Sequence, residues 1–501
     1  MIAREELLQA FGLEHGIRSH VGGERVAGQG APVELVDPTT GETWATYADA
    51  GPAVVAQAML AAETGFSTWQ QLTASARGLA MWQVGQAIRA RLEDLALLET
   101  LTAGKPIRDA RVEVLKVAEM FDYYAGWCDK LTGSVIPVPT SHLNYTRHEP
   151  FGTVVQLTPW NAPVFTAGWQ IAPAIAAGNA VVLKPSELTP ASTLALVAVA
   201  EQAGLPVGLV NVLAGLGPST GEAAVTHAAT RLVVFVGSPA TGALIAASAA
   251  RNTVPCILEL GGKSANIVFA DADLERASLG AQAAVWSGAG QSCVAGSRLL
   301  VERKVLEPLL DKLGRAARHL ALGDPADPAT QIGPIISRQQ WQTVDRMVRE
   351  AAGDGARIRA GGGHPGGVHE RGFFYTPTLL DAVRPEMAIA RDEVFGPVLA
   401  VLPFDSEVEA VALANATRFG LAGAVWTGDV GRAHRVAAAV RAGTFWINSY
   451  KTINVMSPFG GFGRSGYGRS SGKEALMAYT QTKSVWVETA ADPAPGFGYA
   501  G

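Results

Sequence analysis

Thr153-Val-Val-Gln-Leu157, Ala180-Val-Val-Leu183, Leu209-Val-Asn-Val-Leu213 and Leu232-Val-Val-Phe-Val236 are four short apolar runs within residues 151–262. Each is the length of a strand buried on both faces. Ala-rich segments near 168–178, 189–203 and 218–228 separate them and read as helices, and another helix follows Ser238. Strands alternating with helices of this length predict a parallel sheet with crossover helices. Such sheets bind ligands beyond the carboxyl ends of their strands.

The pattern extends in both directions. Gly51–Trp69, Ala74–Leu101 and Ile107–Leu131 carry helical periodicity after a short strand-and-turn opening. Residues 134–150, SVIPVPTSHLNYTRHEP, alternate polar and apolar residues among prolines, which suits strands or a projecting arm. From 263 to about 445 the alternation returns at Ala265–Phe269, Ser297–Val301 and Val398–Val401, implying a second α/β unit. Ser484–Glu488 reads as a strand, and ADPAPGFGYAG beyond it as a loose tail. A chain of 501 residues exceeds what one core usually organises.

Composition narrows the function class. The net charge is −5, with no basic patch for nucleic acid or an anionic membrane. No uncharged apolar run reaches the roughly 18 residues of a membrane span, and the N-terminus lacks a signal-peptide apolar region. Three scattered cysteines (Cys128, Cys256, Cys293) argue against a disulfide framework and fit a reducing compartment, so the expectation is cytoplasmic.

Several loops carry chemistry-bearing residues. Gly288-Ala-Gly-Gln-Ser-Cys293 sets a thiol on a glycine-rich turn. Taken alone, an inert buried thiol is the better reading of such a cysteine. Cys256 and Cys128 suit that role better still. Leu258-Glu-Leu-Gly-Gly-Lys263 places Glu259 at a strand end, where a half-buried carboxylate acts as a general base or pairs with Lys263. Thr158-Pro-Trp-Asn161 closes the first strand, and Asn161 offers amide donors to an oxyanion. Val182-Leu-Lys-Pro-Ser-Glu187 closes the second, where Lys184 and Glu187 bracket a ribose or serve as ordinary loop charges. Phe235-Val-Gly-Ser-Pro-Ala-Thr-Gly242 runs from a strand into a helix whose free N–H groups suit phosphate. No G-x-G-x-x-G follows the first strand, so the ordinary dinucleotide fingerprint is absent.

Together these motifs resemble the aldehyde dehydrogenase superfamily from about residue 35 to 488. The resemblance rests on Pro159-Trp-Asn161, Lys184-Pro-Ser-Glu187, Phe235-Val-Gly-Ser238, Glu259-Leu-Gly-Gly262, Gly290-Gln-Ser-Cys293, Glu393-Val-Phe-Gly-Pro397 and Pro458-Phe-Gly-Gly461, in the family's order. It implies an α/β fold: a variant Rossmann cofactor domain (1–133 and 151–258), an α/β catalytic domain (259–474), and a small β oligomerisation element with the tail (134–150 and 475–501).

The same resemblance implies that Cys293 attacks an aldehyde and that Asn161, with the cysteine's own N–H, holds the oxyanion. Glu259 then activates water against the resulting thioester. It further implies that Thr158, Pro159, Trp160, Lys184, Ser186, Glu187, Gly217, Phe235, Gly237, Ser238, Leu260, Gly261, Glu393 and Phe395 bind the cofactor. Glu187 favours NAD over NADP, since a 2′-phosphate would meet a carboxylate. Lys184 offsets this in part and keeps NADP use open. A homodimer or homotetramer is implied, with no metal.

Departures from the family's usual wording stand at Val236, at Phe462-Gly463-Arg464 and at Ser470. By position Phe165, Trp169, Trp286, Val294, Lys451 and Ile453 line the entrance. Their rings favour an aromatic or apolar aldehyde, while Lys451 suits an acidic semialdehyde. A branch that passes the thioester to coenzyme A does not need Glu259. A non-catalytic protein on this fold would not need the full Cys293, Glu259 and Asn161 set.

Overall fold

The structure is a computed structural model and describes residues 4–492. The predicted tail from 493 onward lies outside the described residues. Two large sheets dominate. The first has eight strands in the order Gly466–Tyr467, Cys256–Leu260, Thr230–Gly237, Thr153–Leu157, Ala180–Lys184, Val210–Val212, Ser19–Val21 and Glu24–Val26. Its five central strands are parallel. Helices Pro163–Ala176, Ala191–Gln202 and Pro239–Ala250 cross between them. Because helices cover both faces, every residue of Thr153–Leu157 and Ala180–Lys184 is buried.

The spatial order of the parallel strands reverses between Thr153–Leu157 and Thr230–Gly237. The loops leaving these two neighbours therefore diverge and open a crevice at their carboxyl ends. That crevice holds Trp160–Asn161 on one side and Gly237–Ser238 on the other.

The second sheet has seven strands in the order Arg357–Ala360, Thr378–Asp381, Val398–Phe404, Arg298–Glu302, Ala265–Val268, Ala422–Trp426 and Thr444–Ile447. All pairings but the first are parallel. A third sheet joins Thr480–Glu488, His142–Pro150 and Val135–Ile136, all antiparallel. No helix among the described residues is long and apolar enough to cross a membrane.

Two local expectations need revision. The helix expected over 74–101 is two helices, Ala74–Ala90 and Leu92–Ala103. The break is at Arg91, whose guanidinium bonds Asp94 in the next helix and sits over the Phe11 ring. The helix expected near 218–228 is a π turn, Gly217–Gly221, leading into the short helix Glu222–Thr226. Asp49 causes this by capturing the Leu216 N–H and the Ser219 and Thr220 hydroxyls. A division between 258 and 259 would cut the strand Cys256–Leu260, and Gly466–Tyr467 bonds to that same strand in the first sheet.

Candidate active site

The carboxyl edge of the first sheet faces a set of loops that enter the second sheet's strands. Thr158–Asn161, Gly237–Ser238 and Glu259–Gly261 come from the first. Ser287–Val294 precedes Arg298–Glu302, and Glu393–Pro397 precedes Val398–Phe404. Between them lies a cavity of about 680 Å³. Its walls bring together Cys293, Glu259, Asn161, Pro159, Trp160, Gly237, Ser238, Gly261, Glu393 and Phe395.

The glycines after Glu259 explain this convergence. A Cβ on Gly261 would lie 1.9 Å from the Glu393 carboxylate, and one on Gly262 would lie 2.5 Å from the Cys293 carbonyl. Only bare backbone lets the Glu259 strand, the Cys293 loop and the Glu393 loop meet here. The Gly262 N–H donates to Glu393 at 2.9 Å, which fixes that carboxylate. The Asn161 amide donates to the Gln291 carbonyl at 2.9 Å, which turns it toward the cysteine loop.

Electrostatics make two groups on the cavity wall unusual. Glu259 is buried, not half-buried as its strand-end position suggested, and its Oε1 has no hydrogen-bond partner. Burial pushes its pKa up to about 8, with Gln170 and Arg469 pulling weakly the other way. The predicted alternative of a Glu259–Lys263 pair does not form. The Lys263 ammonium is itself buried without a hydrogen bond, and burial pushes its pKa down to about 7. Burial, then Glu259 and Glu393, push the Cys293 thiol up to about 12. Cys293 lies in a loop, and no helix starts at it. It rests as a thiol and needs a base to become a nucleophile.

Other predicted residues form a second cluster on the same sheet edge, away from the cavity wall. Lys184 is buried and pairs with the half-exposed Glu187 at 3.2 Å. The Thr158 N–H donates to the Lys184 carbonyl, while the Thr158 hydroxyl is buried and unpaired. Ser186 accepts from the Leu188 N–H, and Gly217 opens the Asp49-bound turn. Phe235 and Leu260 pack beneath backbone, against Gly237 and Gly242. Among the candidates for the entrance, Phe165 and Trp169 stack at 5.2 Å and line the cavity with Val294, Lys451 and Ile453. Trp286 does not. It is buried in the core at the end of the helix Leu274–Val285.

Sequence reading missed one wall entirely. Lys105, Asp109, Glu113, Lys116, Glu119 and Met120 line the cavity from the start and one face of the helix Ile107–Ala125. Their spacing of three to four residues was visible, but an acidic and basic stripe reads as a solvated face. Asp49 was missed too, because nothing local marks it. The same holds for Tyr47, whose hydroxyl donates to the Glu187 carbonyl.

The profile of the Aldehyde dehydrogenase family matches residues 26–485. The chain belongs to this family. It is 40% identical to retinal dehydrogenase 2 of Homo sapiens over 459 residues, covering 91% of this chain and 88% of that one. It is 41% identical to betaine aldehyde dehydrogenase of Bacillus subtilis over 460 residues, covering 91% and 94%. The crystal structure of PnpE from Pseudomonas sp. WBC-3, known also with nicotinamide adenine dinucleotide, superimposes with a TM-score of 0.94 at 41% identity, covering 96% of this chain and 99% of that one. The α/β architecture inferred from the sequence is the family's, and in this aldehyde dehydrogenase Cys293, Glu259 and Asn161 line one cavity.

Proposed function

We propose that this aldehyde dehydrogenase oxidises its substrate to a carboxylic acid with NAD, through a covalent intermediate on Cys293. The observation that carries the reading is the meeting of a half-buried thiol, a buried carboxyl whose Oε1 has no partner, and an oriented amide on one cavity wall.

The cofactor fits the residues at the sheet edge. Lys184 and Glu187 suit the adenosine ribose, and the unpaired Thr158 hydroxyl is a polar group awaiting a partner. The helix Pro239–Ala250 begins at Gly237–Ser238, and its first N–H groups suit the pyrophosphate. Glu393 and the Trp160–Phe395 edge contact, with centroids 5.2 Å apart, suit the nicotinamide end. The bound dinucleotide supplies the hydride acceptor.

Glu259 removes the Cys293 proton, and the thiolate adds to the aldehyde carbon. The new oxyanion is held by the Asn161 amide and the Cys293 N–H. After hydride leaves the former aldehyde carbon, a thioester remains on Cys293. Glu259, deprotonated again, takes a proton from water as the water oxygen attacks the thioester carbon. The C–S bond breaks and the acid departs.

Phe165, Trp169, Ile453 and Phe459 favour an aldehyde with an apolar or aromatic body. The relatives do not choose among substrates, since their names run from retinal to betaine aldehyde. A panel of aldehydes with NAD, followed by absorbance of the reduced cofactor, tests the reading. Many-fold activation by coenzyme A, with coenzyme A in the product, would replace hydrolysis by transfer.

The three-stranded sheet exposes Val135, Ile136, Leu143, Trp486 and Val487, and we assign it to contact with a second copy, giving a dimer or tetramer. Light scattering checks this. We divide the chain at 260, with the cofactor domain running through Leu260 and the catalytic domain following.

A further inference from the structure

The wall of the cavity carries several charges, and their pairing is uneven. Lys105 engages Glu99 and Glu113, Lys116 engages Glu119 at 2.6 Å, and Asp109 engages Arg108 at 3.3 Å. Lys451 is the cation of this wall with no ion pair among the described residues. Its ammonium donates only to the Ser287 hydroxyl, at 3.0 Å. Burial lowers its pKa to about 8, which leaves it mostly charged at neutral pH, with Asp109, Cys293 and Glu113 pulling the other way.

The backbone holds it there at a cost. Lys451 has φ +58°, in the left-handed region that a lysine rarely occupies. The turn is pinned on both sides. The Tyr450 hydroxyl donates to the Val294 carbonyl, next to Cys293, and the Trp446 indole donates to the Thr452 carbonyl. A strained, pinned residue presenting a desolvated charge beside the reacting thiol marks a binding function. Of the cavity's carboxylates, Glu113, Glu119 and Asp109 are engaged by Lys105, Lys116 and Arg108, and neither Glu259 nor Glu393 forms an ion pair with Lys451, which leaves Lys451 to seek an anion.

We propose that Lys451 and Ser287 form a subsite for a carboxylate on the substrate, so that the preferred substrates are apolar or aromatic aldehydes that also bear an acidic group. The subsite rests on the reading of Cys293 as the attacking group, since it is defined by its place beside that thiol. The Phe165–Trp169 stack takes the body of the substrate, and Lys451 fixes its orientation. Lys451 acts here as a specificity residue.

The test compares 3- and 4-carboxybenzaldehyde with their neutral methyl esters, using the whole enzyme and NAD. The wild type should favour the better acid over its ester by about tenfold or more in kcat/KM, chiefly through KM. Lys451→Met should bring that ratio near one, Lys451→Arg should keep most of it, and Lys451→Glu should reverse it. NAD binding by each variant confirms that it is folded, and the wild-type ratio and Lys451→Arg stand even if another variant is insoluble. If Lys451→Met slows acids and esters equally and keeps their ratio, Lys451 only staples two loops and the subsite is wrong. A wild type that oxidises both without preference overturns the subsite and leaves the Cys293 reading intact. One that oxidises neither overturns both.

Discussion

Two clusters share one sheet edge and treat their polar groups in opposite ways. Around Asp49 the groups are paired, the Thr158 hydroxyl excepted. The Asp49 carboxylate accepts from the Leu216 N–H at 2.7 Å, the Thr220 hydroxyl at 2.6 Å and the Ser219 hydroxyl. Burial alone would raise its pKa, but these donors hold it below the ordinary carboxylate range. Around Cys293 the groups are left wanting. Glu259 Oε1 and the Lys263 ammonium have no partners, and Lys451 has a single hydroxyl. The first cluster is built to keep one shape, as a site that grips a large ligand must be. The second holds groups whose pKa values burial shifts from the ordinary range, as a site that moves protons must do.

The sharpest way to break this contrast is to remove the thiol. Cys293→Ala should lower aldehyde oxidation by at least about 10³-fold while NAD still binds, since the paired cluster is untouched. Steady-state turnover and quenching of tryptophan fluorescence by NAD read the two halves separately. Retained turnover would remove the central claim.

Glu259 comes next. Glu259→Gln should slow hydrolysis by about 10²- to 10⁴-fold and accumulate an acyl-enzyme visible by mass spectrometry. Its pH dependence has a definite sign. As a base Glu259 works only when ionised, so activity should rise with pH through about 8, not toward the pKa near 12 of the thiol. The glutamine variant should lose that limb. Stability runs the other way. A folded pKa raised above the unfolded one gives stability present at low pH and lost as pH rises through about 8. Glu259→Gln should therefore melt higher than the wild type above pH 8, and gain less below it.

The paired cluster should respond more gently. Asp49→Ala strips three hydrogen bonds from the turn at Gly217 and should weaken NAD binding by about ten- to thirtyfold, with little change in the KM for aldehyde. An equal loss on the aldehyde side would mean that the clusters are not separable.

What the sequence made legible divides along the same line. The parallel strands were readable because burial on both faces leaves continuous runs such as Thr153–Leu157. The convergence of Glu259 and Cys293 on one wall was readable because Gly-Gly after Glu259 and the glycines before Cys293 mark where backbones must touch. Long-range partners were not. Asp49 reaches Leu216, Ser219 and Thr220 across more than 160 positions, and the sequence near Asp49 shows nothing of it. The charged face of the helix Ile107–Ala125 was not singled out, because spacing alone does not say whether a face meets water or a cavity. Trp286 read as an entrance ring for the converse reason: nearness to Cys293 in sequence does not fix the direction of a side chain.

The smallest expected effect lies at Glu187, where the paired cluster meets solvent. The Lys184 side chain is 6% exposed and Glu187 is 38% exposed, so their attraction is partly screened. If Glu187 faces the ribose as proposed, its carboxylate both accepts ribose hydroxyls and repels a 2′-phosphate. Glu187→Ala removes the repulsion and frees the Lys184 ammonium for that phosphate. The preference for NAD over NADP should then fall by about tenfold, on the order of 1 kcal/mol, with kcat for NAD nearly unchanged. Measuring kcat/KM for both cofactors at low and moderate salt separates charge from shape. A charge effect shrinks as salt rises, because Glu187 is open to counterions. A shift that ignores salt would place the selection in the fit of the Asp49-bound turn, and a ratio that does not move at all would take Glu187 out of cofactor choice.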